Sequence, residues 1–322
     1  MNIAFTTPLP AEGFERLRGY NLNAEPETAE VLVSTFDKQV TREMIAAMPR
    51  LRLIANFGVG YNNIDLSACK ERGITVTNTP QPVIEPTAEL AFALMICVAR
   101  RVAEFDRQLR EGTCQPMAVM NNLSHGLYGK TLGIIGMGRI GQALARRALA
   151  SGMKVVYHNR HELQCKVYGV QCTGVAPEPD REWQADVIKQ ARYLPLEVLL
   201  QEADFVSLNL PYTPETHHLI GSPQLQLMKP TAYLINTARG AHVDEAALIR
   251  ALKAGQIAGA AMDVYEHEPQ ISEELLEMPN VVLSPHTGTG TWEGRIAMCE
   301  NVCDNILAFA DGQLDNMDIV QI

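Results

Sequence analysis

A chain of 322 residues, 47% hydrophobic and 20% charged, is long enough for two α/β domains with cores of their own and too apolar to be disordered. Its formal net charge of −10 disfavours a phosphate backbone as partner, so no nucleic-acid binding is expected. No segment approaches the ~20 apolar residues of a membrane span, and the start, Met1 to Pro8, lacks the basic and apolar stretches of a secretion signal; a cytoplasmic protein is expected, with no membrane partner.

The first hundred residues alternate strand and helix signals. Apolar runs at 2–6, 30–36, 51–57 and 74–78 read as strands, and helical periodicity fills 41–48 and 66–72. This alternation predicts a parallel sheet flanked by helices. A single long helix is expected over 87–110, where no Gly or Pro interrupts the pattern, followed by an irregular stretch from Gly112 to Gly129. A second series then predicts strands at 131–136, 154–158, 204–209, 232–236, 257–263 and 281–284, the six strands of a full dinucleotide-binding sheet. Residues 291–311 predict a last helix that packs back on the first domain. One stretch, 161–192, breaks the rhythm as a loop of unusual length, expected to cover the cofactor or extend a subunit contact. The seven cysteines include no Cys-x-x-Cys pair, and they read as idle thiols in a reducing compartment; Cys299 and Cys303 are spaced to share one helix face.

The strand 131–135 runs into Gly136-Met137-Gly138-Arg139-Ile140-Gly141, and a helical pattern follows at once. This is G-x-G-x-x-G between strand and helix, the setting that gives the motif meaning. Gly136 permits the turn, Gly138 lets a pyrophosphate approach the backbone, and Gly141 lets helix and strand pack closely. The helix N-terminus offers N–H groups and partial positive charge to the phosphates. Where the next strand ends, an acidic residue would bind a ribose 2′-hydroxyl. Here Asn159 stands in that place and Arg160 follows. A guanidinium binds a 2′-phosphate that a carboxylate would repel, so NADPH is the expected cofactor, with NADH also accommodated.

Three segments each follow a predicted strand: Asn236 to Gly240, Asp263 to Pro269, and Ser284 to Gly288. Together with Gly58-Val59-Gly60-Tyr61, Ile64-Asp65, Thr87-Ala88-Glu89, Gly129 to Gly133, the glycine motif and Leu210 to Thr216, they make the chain similar to the D-2-hydroxyacid dehydrogenase family, which includes glyoxylate and hydroxypyruvate reductases. The similarity covers nearly the whole chain. It implies an α/β fold of two doubly wound parallel-sheet domains, a Rossmann dinucleotide-binding domain over 99–287 and a smaller flavodoxin-like substrate domain made of 1–98 with 288–322. It also implies a homodimer. The family's Arg, Glu and His correspond to Arg239, Glu268 and His286. Asp263 corresponds to its residue near the nicotinamide amide, and Val59 and Gly60 to the loop whose N–H groups hold the substrate carboxylate. Thr87, Pro211, Thr216, Thr237 and Ala238 complete the cofactor contacts that the resemblance implies.

These residue types suit the reduction of a small 2-oxo acid. Negative charge builds on the carbonyl oxygen as C2 receives hydride; a protonated His286 can donate to that oxygen, and Glu268 favours the charged imidazole. Arg239 can grip the carboxylate and polarise the carbonyl. Glu266 competes with Glu268 for the acid's place; the family pattern puts the acid directly before Pro, which selects Glu268. His217 and His218 resemble a ligand pair, but neighbours on a regular element diverge. His158 and His161 flank the expected cofactor loop. No metal site is read from the sequence. Three departures from the family stand out: no Trp in 112–129, the glycine-rich Thr287 to Thr291, and the long 161–192 stretch. Two alternatives carry the same residues: a nucleotide-sensing binding protein resembling corepressors of this fold, and an NAD-dependent oxidation of a 2-hydroxy acid. Formate oxidation fits less well, because its relatives pair the His with Gln.

Overall fold

The computed structural model describes residues 1–163 and 183–321. In chain order its elements are β1 (Ile3–Phe5), β2 (Val31–Thr35), α1 (Arg42–Ala46), β3 (Leu53–Phe57), α2 (Leu66–Glu71), β4 (Thr75–Thr77), α3 (Ile84–Ala99), α4 (Val102–Glu111), β5 (Thr131–Ile135), α5 (Arg139–Ala150), β6 (Lys154–His158), α6 (Trp183–Gln190), β7 (Arg192–Tyr193), α7 (Leu196–Glu202), β8 (Phe205–Leu208), α8 (Ser222–Leu227), β9 (Tyr233–Asn236), α9 (Glu245–Lys253), β10 (Gly259–Met262), α10 (Glu273–Glu277), β11 (Val281–Leu283) and α11 (Trp292–Ala310). They form two compact units, Met1–Pro86 with Thr289–Ile322, and Thr87–Gly288. The first division falls at Pro86/Thr87 instead of the expected 98/99, because the body of α3 belongs with the second unit.

The first unit holds an all-parallel sheet in the order β1-β2-β3-β4. Every residue of β2 and β3 is buried, as expected for central strands covered on both faces. A bridge between Asn2 and Asn21 adds a rudimentary strand outside β1, which gives the flavodoxin-like order 2-1-3-4-5. Short helices start where their caps dictate. Thr41 accepts from the N–H of Met44 before α1, and Asp65 from Ala68 before α2. On one side Ile45, Met48, Ala68 and Cys69 close the core over Leu32 and Ile54. α11 packs along β3 and the 3₁₀ turn Ala11–Leu17, as the sequence predicts for the last helix. Cys303 Sγ donates there to the Gly13 carbonyl, and burial pushes the thiols of both Cys299 and Cys303 up to about 12.

The second unit holds a seven-stranded parallel sheet in the order β11-β10-β9-β8-β5-β6-β7. The six predicted strands are all present, but the Rossmann order 3-2-1-4-5-6 is completed only by β7, which stands as the third strand at one edge, and β11 extends the sheet at the other. The chain runs outward from β5 through β6 to β7 and returns to pair β8 with β5. The loops after β5 and β8 therefore diverge and leave a crevice at the carboxyl ends of the strands, the place where such sheets bind ligands.

The single helix expected over 87–110 is two helices. Arg101 takes a left-handed conformation (φ 56) between α3 and α4. Residues of the 112–129 stretch hold the break open: the His125 N–H donates to the Ala99 carbonyl, Ser124 accepts from Arg100, and the Leu123 carbonyl accepts from Arg101. Of the expected 161–192 loop, the end from residue 183 is helix α6 and the start of β7. Residues 164–182, where a role over the cofactor or at a subunit contact was expected, lie outside the described residues.

Candidate active site

The glycine motif forms the turn that the sequence predicts. Gly136 has φ 97, and a Cβ there would lie 2.5 Å from the Asn209 carbonyl oxygen, which leads out of β8. A Cβ on Gly141 would lie 2.3 Å from the Gly136 carbonyl oxygen, so α5 rests directly on the turn. Open space adjoins Gly138, the N-cap of α5, and no side chain caps this helix. The N–H groups of its first turn thus keep their partial positive charge for a ligand. Arg139 Nε and, after β9, Thr237 Oγ1 are buried with no hydrogen-bond partner among the described residues, a cost that a bound polar group would relieve. These features fit the pyrophosphate and ribose of a dinucleotide.

At the end of β6, Asn159 turns toward the glycine loop, and its Oδ1 accepts from the Met137 N–H at 2.8 Å. Arg160 is exposed and makes no hydrogen bond or ion pair among the described residues. The Arg160 charge helps, after local hydrogen bonds, to hold the Glu215 carboxyl below its ordinary range, which places Arg160 beside the turn Pro214–Thr216. There Thr216 Oγ1 accepts from the Thr213 N–H (2.8 Å) and reaches the Pro211 carbonyl (3.3 Å). His158 is held by the Leu194 carbonyl through Nδ1, on the β7 side.

Across the crevice, the loop after β9 is folded by Asn236, whose Oδ1 accepts from Ala238 and whose Nδ2 donates to the Arg239 carbonyl. The half-buried guanidinium of Arg239 donates to the Ala238 carbonyl at 2.6 Å. Burial lowers its pKa, and the charge of Glu268 acts the other way. Glu268 accepts from the Tyr265 N–H at 2.9 Å through Oε1 and from His286 Nδ1 at 2.8 Å through Oε2. Burial pushes the Glu268 carboxyl up, but the hydrogen bond and charge of His286, the Tyr265 N–H and Arg239 together bring it below the ordinary carboxylate range. It is a charged partner for the imidazole.

His286 itself sits in a left-handed backbone conformation, φ 54, and the residue that imposes it is Asp263. The Asp263 carbonyl accepts from the His286 N–H, and its carboxylate oxygens accept from the N–H groups of Thr287 and Gly288, all at 2.8 Å. Asp263 is 1% exposed, so these bonds fix the loop that aims the imidazole. Thr87 lines the same turn, close to Gly288.

The rival acid faces elsewhere. Glu266 pairs with His218 Nε2 at 2.5 Å and accepts from the Glu245 N–H at 3.1 Å. The alternation of 266 and 268 sends the two carboxylates to different histidines. The expectation that His217 and His218 diverge is wrong: their rings stack at 3.9 Å, because His218 has φ 49 and the pair is not on a regular element. Sequence reasoning also missed the loop-holding part of Asp263 and the buried Asn56. The visible signal for Asn56 is an amide inside an otherwise apolar strand, Leu53 to Phe57. Val59 and Gly60 lie in the first unit, directly after β3.

The comparisons with known proteins agree with one another. Residues 92–173 and 162–288 match the family described as "D-isomer specific 2-hydroxyacid dehydrogenase, NAD binding domain". A glyoxylate reductase of Thermococcus litoralis is 47% identical over 289 residues, 88% of this chain and 82% of that relative. Among solved structures, a glyoxylate reductase from Paecilomyes thermophila is 32% identical with a TM-score of 0.82, covering 99% of this chain and 97% of the other. An NADPH-dependent glyoxylate/hydroxypyruvate reductase from Sinorhizobium meliloti, solved with NADP and malonate, is 31% identical with a TM-score of 0.77, covering 96% and 93%.

Proposed function

This chain belongs to the family of D-isomer specific 2-hydroxyacid dehydrogenases, and from that premise we propose that it uses NADPH to reduce a small 2-oxo acid, of the glyoxylate or hydroxypyruvate class, to the D-2-hydroxy acid. The observation that carries this reading is the His286–Glu268 pair at 2.8 Å, with Arg239 acting on the same carboxylate. Reduced nicotinamide, when bound, supplies hydride to C2 of the acid. His286, anchored through Nδ1, gives a proton from its other ring nitrogen to the carbonyl oxygen, so that C=O becomes CH–OH with no leaving group. Glu268 stabilises the imidazolium before that transfer and stays ionised afterwards. Arg239 neutralises charge on the substrate, and the N–H groups of Val59 and Gly60 hold its carboxylate.

The dinucleotide is assigned to the second unit: Gly136, Gly138, Arg139, Ile140 and Gly141 at the pyrophosphate, with Thr87, Pro211, Thr216, Thr237, Ala238 and Asp263 along its length. NADPH is favoured by Asn159, which adds no negative charge where a 2′-phosphate would sit, and by the exposed Arg160 beside it. The S. meliloti relative, named for its NADPH dependence, supports the same choice. A homodimer is proposed on the apolar side chains of the 112–129 stretch, where Met117 is 98% and Tyr128 86% exposed.

The test is cofactor oxidation followed at 340 nm with glyoxylate, hydroxypyruvate, pyruvate and longer 2-oxo acids, each with NADPH and NADH. Turnover of the two- and three-carbon acids with a larger kcat/KM for NADPH is expected. A ratio below one overturns the cofactor assignment. Tight NADPH binding with no turnover of any acid replaces the enzyme with a nucleotide sensor.

A further inference from the structure

We propose that Asn56 and Asn78 are positioning residues that aim, respectively, the Val59 and Gly60 N–H groups at the substrate carboxylate. The inference rests on the reading above, in which those two N–H groups hold that carboxylate, and it concerns the first unit alone.

In a trans peptide the C=O of one residue and the N–H of the next point in opposite directions. Whatever fixes the Gly58 carbonyl therefore fixes the Val59 N–H, and whatever fixes the Val59 carbonyl fixes the Gly60 N–H. The Gly58 carbonyl accepts from Asn56 Nδ2 at 2.9 Å and from the Thr79 N–H at 3.1 Å. The Val59 carbonyl accepts from Asn78 Nδ2 at 2.9 Å. The Gly60 carbonyl accepts from Asn56 Nδ2 at 2.8 Å. All three carbonyls are thus drawn to side-chain amides, while the N–H groups of Val59 and Gly60 donate to no acceptor among the described residues. Two adjacent donors, each turned away from the carbonyl of the preceding residue, make a concave anion site of the kind that backbone amides form elsewhere.

Both residues are held in place. Asn56 is 1% exposed, and its Oδ1 accepts from Ser34 Oγ at 3.0 Å. With the oxygen engaged by a hydroxyl, the NH₂ has to face the two carbonyls, so the orientation follows from the bonding. Asn78 is fixed through its backbone. Its N–H donates to the Asp318 carbonyl at 3.1 Å, and its carbonyl accepts from Asn305 Nδ2 at 3.3 Å. Asn305 Oδ1 in turn accepts from the Asp318 N–H at 2.8 Å, and the Val320 N–H donates to the Val76 carbonyl at 2.8 Å. The segment 318–320 thus extends the edge of β4 and, with α11, sets the height at which Asn78 meets the loop.

An aimed donor pair acts on substrate binding and leaves the later chemical step to His286. The division between KM and kcat therefore separates a positioning role from a general structural one. The experiment measures Asn56→Ala and Asn78→Ala for glyoxylate and NADPH kinetics and for inhibition by oxalate, which offers a carboxylate and cannot be reduced. In each variant the glyoxylate KM and the oxalate inhibition constant are expected to rise together by about tenfold, the effect of losing one well-placed hydrogen bond. kcat and the NADPH KM are expected to stay within about threefold. Asn78→Ala leaves the backbone anchors of residue 78 in place, so it keeps the test valid if Asn56→Ala does not fold. Unchanged constants for glyoxylate and oxalate overturn the proposal, as does a rise in the NADPH KM in step with them. If the unaltered protein reduces no 2-oxo acid, the reduction reading is lost, and direct titration with oxalate still decides the clamp: weaker binding by the variants supports it, and equal binding ends it.

Discussion

At the scale of the residue, the proposed proton transfer turns on which carboxylate serves the imidazole. Glu268 and Glu266 stand two positions apart in one loop, yet each has its own histidine. Glu268→Gln keeps the shape and removes the charge, and kcat for glyoxylate reduction is expected to fall about a hundredfold. Glu266→Gln is expected to keep kcat within a few-fold, because its partners are His218 and the Glu245 N–H. Equal losses in steady-state assays of the two variants would contradict the assignment. The candidate side chains Arg239, Glu268 and His286 could be picked out in the sequence because each follows a strand of a parallel sheet, where the fold has to place a ligand, and the structure pairs two of them. The residues that position them were harder to read. Asp263 acts through backbone N–H groups of a loop more than twenty residues away, and Asn78 acts on Val59; such bonds depend on tertiary geometry and leave no spacing pattern. His217 and His218 were misread for a related reason, since one left-handed residue turns neighbouring side chains from opposite faces to a stack.

At the scale of the element, the strand–turn–helix unit β5–α5 carries the cofactor reading. Gly141 brings α5 to within contact of the turn at Gly136, so Gly141→Ala forces helix and turn apart. The variant is expected to lose more than about 2 kcal/mol of stability and to bind NADPH at least about tenfold more weakly, measured by cofactor fluorescence titration. Retention of both properties would show that the close approach is not needed. Strand positions were legible almost throughout, because buried parallel strands are short apolar runs bounded by turn residues. β7 was not, since two residues at a sheet edge, Arg192 and Tyr193, offer no periodicity. The break between α3 and α4 was invisible for a different reason. The residues from Ala99 to Val102 suit a helix locally, and only the side chains and backbone of 123–125 take over the bonds that a continuous helix would make.

At the scale of the whole molecule, two consequences can be measured. The first is a pH-dependent stability centred on His242, which is fully buried. Burial lowers its pKa from 6.5 to about 4, opposed by the bond from Nε2 to the Pro211 carbonyl and reinforced by the charge of Arg239. The unfolded chain therefore binds this proton first as pH falls. The contribution is intact above about pH 6.5 and is lost between about pH 6.5 and 4, amounting to about 3 kcal/mol. Urea unfolding across that range is expected to show a slope that His242→Asn flattens; parallel curves would exclude His242 as the cause. The second is association. Equilibrium sedimentation is expected to give twice 35.5 kDa, and Met117→Glu with Met120→Glu is expected to shift the mass toward a monomer; a monomeric unaltered protein would remove the dimer.

The most direct test of the central claim is the single-turnover rate of NADPH oxidation by glyoxylate in His286→Ala, measured alongside NADPH binding. The account predicts normal cofactor affinity with a rate reduced by about 10²- to 10⁴-fold. A rate near that of the unaltered protein, with the cofactor bound, would show that the proton reaches the carbonyl oxygen from some other group.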